Sequence, residues 1–171
     1  MNNPLEILTE ARELLAKLTP LKSNCGKLCG GACCLPDPEE EGENGMLLFP
    51  HEEELYAQPI EGFAFHLADD DTLFEGGKRL VCEGKCTRGD RPLACRIFPL
   101  RMSLQKDGSV EADIDPRAWW VCPLCEMGGK RAMSGEFVQA VKAAGELLCK
   151  NQELRAALER EQQLIDETRH L

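Results

Sequence analysis

Cysteine is the residue type in this chain best suited to chemistry, and the 171 residues contain ten of them. Closely spaced thiolates bind thiophilic metal, so they predict a four-thiolate zinc site or an iron–sulfur cluster. Cys149 stands apart among apolar residues and is expected to lie in the core. The other nine cysteines form three groups, which are Cys25, Cys29, Cys33 and Cys34, then Cys82, Cys86 and Cys95, then Cys122 and Cys125.

The first group indicates how many centres to expect. Gly26, Gly30 and Gly31 let the chain fold back and direct backbone N–H groups toward sulfur. Cys33 and Cys34 are adjacent, and neighbouring side chains of an extended segment point to opposite faces. We therefore expect two metal centres or one polynuclear centre. The alternative is that one of these two cysteines is a small buried apolar residue.

Histidine is not expected among the ligands, because His51, His66 and His170 stand singly in the sequence. The run from Cys122 to Cys125 has the CxxC spacing that supplies half of a zinc site, so Cys125 is an alternate ligand. The sequence shows no nucleophile–base pair, phosphate loop or dinucleotide fingerprint, and enzymatic activity stays an open question.

Charge is distributed unevenly along the chain. The formal net charge of −10 argues against nucleic acid and anionic membranes as partners. The stretch from Lys78 to Arg101 nevertheless carries seven basic and two acidic residues. Cations beside thiolates stabilise the charged form that binds metal, so Arg91 and Arg96, which flank Cys95, are expected next to the ligands. An anion-binding or partner-docking surface is the alternative use of this stretch.

Two motifs carry a family resemblance. They are the run Cys25-x3-Cys29-x3-Cys33-Cys34 and, after Cys86, the segment Arg91-Pro-Leu-Ala-Cys-Arg-Ile-Phe-Pro99. With a further cysteine downstream, they resemble the YkgJ-like cysteine-cluster proteins, a family of zinc- or iron-chelating domains, over about residues 24–125. The cluster also occurs at the front of some flagellin lysine methylases, but nothing outside this stretch resembles a methyl-donor domain. The resemblance implies eight metal ligands, which are Cys25, Cys29, Cys33, Cys34, Cys82, Cys86, Cys95 and Cys122, with Cys125 as the alternate to Cys82.

The elements that must position the cysteines change in character along the chain. Leucines at three-to-four spacing predict an amphipathic helix over residues 4–18, which Pro20 ends. The glycine-rich run 24–36 is expected to be an irregular loop that wraps the metal. The next expected elements are an acidic loop at 36–45, a strand at 46–49, a short helix at 51–56 and a meander of two or three strands within 62–82.

The C-terminal half begins with a hairpin and ends in helices. Asp107-Gly108 predicts a tight turn between strands at 99–105 and 110–114. The pair Trp119-Trp120 is expected to form a hydrophobic lid over the metal region. Ser134 and Asn151 are expected to cap two further helices, either a hairpin or a broken long helix.

Together these elements predict an α+β fold. A small antiparallel sheet and Cys-rich metal-binding loops are flanked by an N-terminal helix and a C-terminal helical hairpin. The predicted parts are an N-terminal helix at 1–23, a cysteine-cluster metal-binding domain at 24–128 and C-terminal helices at 129–171.

The N-terminus lacks the basic and apolar regions of a signal peptide, and no run reaches the roughly 20 apolar residues of a membrane span. We therefore expect a cytoplasmic protein whose thiols stay reduced. The favoured function is cysteine-ligated binding of zinc or an iron–sulfur cluster, with no reaction assigned. The alternatives are an iron–sulfur redox or electron-transfer protein, an iron-dependent modifying enzyme, and an adaptor that docks a protein partner through its acidic face or C-terminal helices.

Overall fold

The computed structural model describes residues 3–35 and 45–169 and confirms the α+β class. The helices are α1 (Pro4–Leu14), α2 (Gly26–Cys29), α3 (Leu93–Ile97), α4 (Ala118–Val121), α5 (Pro123–Glu126), α6 (Gly135–Leu148) and α7 (Gln152–Thr168). Short 3₁₀ helices span Ala32–Cys34, Glu52–Tyr56, Arg88–Asp90 and Gly129–Ala132. The strands are β1 (Gly45–Leu47), β2 (Phe65–Asp69), β3 (Lys78–Cys82), β4 (Leu100–Leu104) and β5 (Val110–Ile114).

Helix α1 begins where the sequence predicts and ends early, at Leu14 rather than at residue 18. Its start is set by Asn3, whose side chain caps the first turn, and by the proline that follows. Past the helix, the Arg88 guanidinium donates to the carbonyl oxygens of Leu15 and Leu18. These carbonyl groups are thus satisfied without another helical turn.

The first sheet has the order β1-β3-β2, with antiparallel pairs on both sides of β3. Residues 62–82 form two strands, β2 and β3, which pair as an antiparallel hairpin, so the lower of the predicted two or three strands is observed. The third strand is β1, which overlaps the strand predicted at residues 46–49 but begins one residue earlier and ends two residues earlier. Leu80 at the centre of β3 is buried on one face of this sheet, where it packs with Leu48, Tyr56 and Phe63.

The second sheet is the β4–β5 hairpin, and it confirms the prediction from Asp107-Gly108. Gly108 has a φ of +85°, which the tight turn requires and which glycine adopts without strain. The strands that the sequence assigned to one small sheet are thus divided between two.

The cysteine-rich run is more regular than predicted. Helix α2 and the 3₁₀ helix Ala32–Cys34 are joined by Gly30 and Gly31, whose φ values are +65° and +76°. Only glycine adopts this left-handed conformation freely, so the glycines mark the link between two helical turns rather than a loop throughout. The acidic loop predicted at 36–45 falls almost wholly in residues 36–44, outside the described residues.

The C-terminal helices lie on the second sheet. Helix α6 packs against α1, β4 and β5, and α7 packs against β4. Asn151 caps α7 as predicted, since its side chain accepts from two backbone N–H groups of the first turn. Ser134 precedes α6, and its own N–H donates to the carbonyl oxygen of Pro20 (2.7 Å). Within 3–35 and 45–169, no helix is both long and apolar enough to cross a bilayer.

Two apolar cores border the cysteine-rich region. The larger core is formed by α1, α3, β4, β5, α6 and α7, and Cys122 packs against it. The smaller core lies beside β3, and Cys82 and Cys86 pack against it. Of the candidate ligands, Cys122 thus lies at the edge of the larger core, and Cys82 and Cys86 lie at the edge of the smaller one. The division of the chain at residues 23 and 128 stays a prediction.

Candidate metal centre

Four cysteines from two distant segments line one small cavity. Its volume is about 40 Å³, and its wall includes Cys25, Cys29, Cys33 and Cys122. Helix α4 packs against the 3₁₀ helix Ala32–Cys34 and so brings Cys122 beside the first segment. Burial raises the pKa of Cys25, and the thiols of Cys29 and Cys122 raise it further, because a second negative charge nearby disfavours ionisation. We call these four cysteines the outer set.

The other predicted ligands lie near Cys95 in α3. Burial raises the pKa of Cys95, and Cys34, Cys82, Glu52 and Cys86 raise it further through the same charge repulsion. Cys82 is the last residue of β3, so a strand, a helix and the first cysteine group all contribute thiols here. We call Cys34, Cys82, Cys86 and Cys95 the inner set.

Gly84 allows Cys34 to approach the turn between Cys82 and Cys86. Its φ is +79°, and a Cβ atom at this position would lie 2.5 Å from the carbonyl oxygen of Cys34. Any larger residue would therefore push Cys34 away and strain the turn. Glycine is required here for the inner set to assemble.

The adjacent residues Cys33 and Cys34 belong to different sets, and their Sγ atoms are 4.0 Å apart. The hydrogen bond from the Cys33 thiol lowers the pKa of Cys34, and the positive charge of Arg91 lowers it further. The same hydrogen bond raises the pKa of Cys33. The backbone here is a 3₁₀ helix and not an extended segment, so the two side chains are not held on opposite faces as they would be in a strand. The two sets adjoin through this pair.

The two predicted arginines act differently. Arg91 contacts a thiol directly, since its Nε donates to Cys86 Sγ at 3.4 Å. Arg96 instead donates to the carbonyl oxygens of Arg91 (2.9 Å), Arg12 (2.9 Å) and Gly89 (2.6 Å). Burial lowers the pKa of Arg96 to about 10. Arg96 therefore holds the backbone behind the ligands and joins it to α1.

Sequence reasoning missed two charged residues that support α3. Glu52 is fully buried, and its carboxylate accepts from the N–H groups of Leu93 (2.6 Å) and Phe49 (3.1 Å). Arg12 donates to Tyr56 Oη (3.4 Å) and to the carbonyl oxygens of residues 89 and 91 (both 3.2 Å). Arg12 lies on the apolar stripe of α1, and a charge in that position was the available signal. Glu52 gave none, because it stands in a run of three glutamates.

The remaining cysteines and the tryptophan pair lie outside the two sets. Cys125 is buried beside Cys122, and burial raises its pKa to about 11. Cys149 packs against the larger core, as predicted. The predicted lid is wrong for Trp120, which is 90% exposed, and Trp119 is 51% exposed. Helix α4 turns Ala118 inward instead, and this residue is fully buried.

The thiols of each set are neighbours without forming a finished coordination shell. Among the described residues, no three Cys, His, Asp or Glu side chains are close enough together to hold a metal ion. An ion would have to draw the sulfur atoms of a set together. The donor type nonetheless fits, because four thiolates complete the shell of Zn²⁺ and also hold iron–sulfur clusters.

No family model, curated protein or solved structure matches this chain.

Proposed function

We propose that the protein binds thiophilic metal through eight cysteines arranged as two adjoining four-cysteine sets. The observation that carries the proposal is the convergence of Cys25 to Cys34, Cys82 to Cys95, and Cys122 in the folded chain. Thiols this close repel one another when ionised, and a bound cation is the usual reason to gather them. The resemblance to YkgJ-like proteins supports the same eight ligands.

The surrounding cations support this proposal. A zinc ion with four thiolates carries a formal charge of about −2, so a region with two such centres needs positive neighbours. Arg91 contacts Cys86 of the inner set. Arg88 lies close enough to Cys25 of the outer set for the thiolate charge to raise its pKa, although burial lowers that pKa overall. Each set therefore has a guanidinium near it.

Zinc and iron–sulfur remain two forms of the same proposal, with different consequences. A zinc ion closed by four thiolates is structural and supplies folding free energy. An iron–sulfur cluster in this region would make the protein a redox or electron-transfer protein. All ten cysteines are free in the structure, which is compatible with the reducing cytoplasmic compartment that we propose.

Elemental analysis and an absorption spectrum of protein purified without oxygen test the proposal. Colourless protein with about two zinc ions per chain would support the zinc form. Brown protein with iron and acid-labile sulfide would support the iron–sulfur form. Protein that contains neither metal, and that takes up neither when reconstituted under reducing conditions, would overturn the proposal.

A further inference from the structure

The outer set contains the one exposed thiol among the eight candidate ligands, that of Cys33, whereas the other seven are partly buried. The cavity that Cys33 lines is bordered by Leu28 and Val121, which are 47% and 37% exposed. A molecule in solution can therefore reach the outer set at Cys33 without disturbing either core.

The inner set is fixed by regular structure on several sides. Cys82 pairs with Phe65 across the first sheet, and Cys95 lies within α3. Cys86 packs against the smaller core and receives the hydrogen bond from Arg91. Movement of any of these three ligands would disturb a strand, a helix or the smaller core. The fourth, Cys34, shares a 3₁₀ turn with Cys33, but its carbonyl group lies against Gly84 in the turn between Cys82 and Cys86.

Three of the four outer cysteines lie on short elements with room to move, whereas Cys122 packs against the larger core. The first three cysteines of the set lie in or beside two single helical turns that Gly30 and Gly31 connect. A Cβ atom added at either glycine would meet nothing within 4 Å, so this link is not packed against other parts of the described chain. Few packed neighbours and exposed backbone are the features of segments that open locally at low free-energy cost.

We propose that the outer set is an exchange site, which takes up and releases a divalent thiophilic ion while the inner set keeps its own. This inference rests on the proposed metal binding. Release would proceed by ligand exchange, in which an incoming thiolate of the acceptor forms a bond to the ion as the bond to Cys33 breaks. The freed thiolate then takes a proton from water, and no electron is transferred. The acceptor is thus a molecule that presents thiolates, such as a dithiol or a protein with a cysteine pair.

The test uses the full chain loaded with Zn²⁺ alone and challenged with an excess of a dithiol chelator under anaerobic conditions. We expect release in two phases of similar amplitude, with the fast phase at least about tenfold faster. Iodoacetamide added during the fast phase should alkylate Cys25, Cys29, Cys33 and Cys122 and spare the inner set. Mass spectrometry of the digested protein identifies the alkylated cysteines of both sets in the unmutated chain. The result therefore does not depend on whether a variant folds.

Two variants sharpen the result. Cys33→Ser should lose the fast phase and keep about one slowly released zinc ion, whereas Cys149→Ser should keep both phases. The exchange site would be wrong if the chain bound two zinc ions and released both in one phase, or if iodoacetamide modified the inner set first. Either result would leave the proposed metal binding intact. A chain that binds no zinc or iron overturns both.

Discussion

Cys95 is the residue on which the inner set depends most, because it lies near the other three thiols and its helix begins at Leu93, whose N–H donates to the buried Glu52. Cys95→Ser replaces a thiolate ligand with a hydroxyl that binds zinc poorly. We expect the variant to lose about one metal ion per chain and to unfold several degrees earlier, because each kcal/mol lost shifts the melting temperature of a chain this long by about 2–4 °C. Metal analysis and a calorimetric scan measure the two effects.

Cys149→Ser is the matched control for this substitution. Cys149 is also a partly buried cysteine, but it packs against the larger core and lies outside both sets. The variant should keep its full metal content and lose only the small free energy of one buried sulfur atom. Equal loss of metal from both variants would show that the ligand assignment is wrong.

Glu52 is predicted to make the stability of the fold depend on pH. Burial raises its pKa above the ordinary value of 4.5, against the opposing effects of two backbone hydrogen bonds and of Arg12 and Arg96. The folded state therefore binds the proton more tightly than the unfolded state does. The resulting stability is complete below about pH 4.5 and is lost as pH rises through the folded pKa.

Glu52→Gln isolates this contribution, since glutamine has the same shape and does not titrate. Between pH 5 and pH 8, the unfolding free energy of the original protein should fall relative to that of the variant. The change is about 1.4 kcal/mol for each unit by which folding raises the pKa. Urea denaturation at several pH values measures this difference in unfolding free energy between the original protein and the variant. A constant difference across this range, or one that moves the other way, would contradict the prediction.

At the scale of elements, the contact between α6 and the second sheet rests on one glycine. A Cβ atom at Gly145 would lie 2.5 Å from Val110 Cγ1 and 3.0 Å from Met102 Cβ. Alanine would improve helix propensity by about 1 kcal/mol, but overpacking a core costs about 1–3 kcal/mol. We expect Gly145→Ala to destabilise the protein on balance, as measured by urea denaturation.

Gly135→Ala provides the comparison on the same helix. A Cβ atom at Gly135 would meet nothing within 4 Å, so alanine there gains helix propensity without a clash. This variant should be as stable as the original protein or more stable. If both alanine variants changed stability in the same direction by the same amount, close packing would not be the reason why residue 145 is a glycine.

Helices and strands that are determined by residues within or beside the element itself were predicted well from the sequence. The β4–β5 hairpin follows from the Asp107-Gly108 turn, and α7 follows from the Asn151 cap and its apolar period. Elements decided by distant contacts were not. Helix α1 stops early where Arg88, far along the chain, donates to the carbonyl groups of Leu15 and Leu18 just past its end, and β1 joins the sheet beside β3, more than thirty residues later.

The candidate site shows the same division. Spacing alone identified the cysteine groups, and adjacency suggested that Cys33 and Cys34 serve different centres. The sorting of eight cysteines into an outer and an inner set required the tertiary structure, because Cys122 reaches the first group only through the packing of α4. The buried Glu52 also depends on tertiary contacts, since one of its two hydrogen-bond partners, the N–H of Leu93, lies 41 residues away in the chain.

At the scale of the whole molecule, the two cores differ in size, and this difference determines where metal binding would contribute most to the free energy of folding. The larger core joins both terminal regions to the second sheet. The smaller core has four buried side chains, Leu48, Tyr56, Phe63 and Leu80, with partly buried apolar residues packed around them. A core of this size contributes little stability, so we expect the proposed metal to supply part of the free energy that holds that side of the molecule.

Removal of metal should therefore loosen the molecule unevenly. After chelation under reducing conditions, backbone amides in residues 25–34 and 78–90 should lose at least about tenfold in protection from hydrogen exchange, because their segments depend on the ligand sets. Amides in β4, β5 and α6 should keep their protection, since the larger core holds them. Hydrogen exchange with mass spectrometry compares the metal-loaded protein directly with the protein from which the chelator has removed the metal. Uniform loss of protection would show that the fold is one cooperative unit around the metal, and unchanged protection in the cysteine segments would show that metal does not stabilise them.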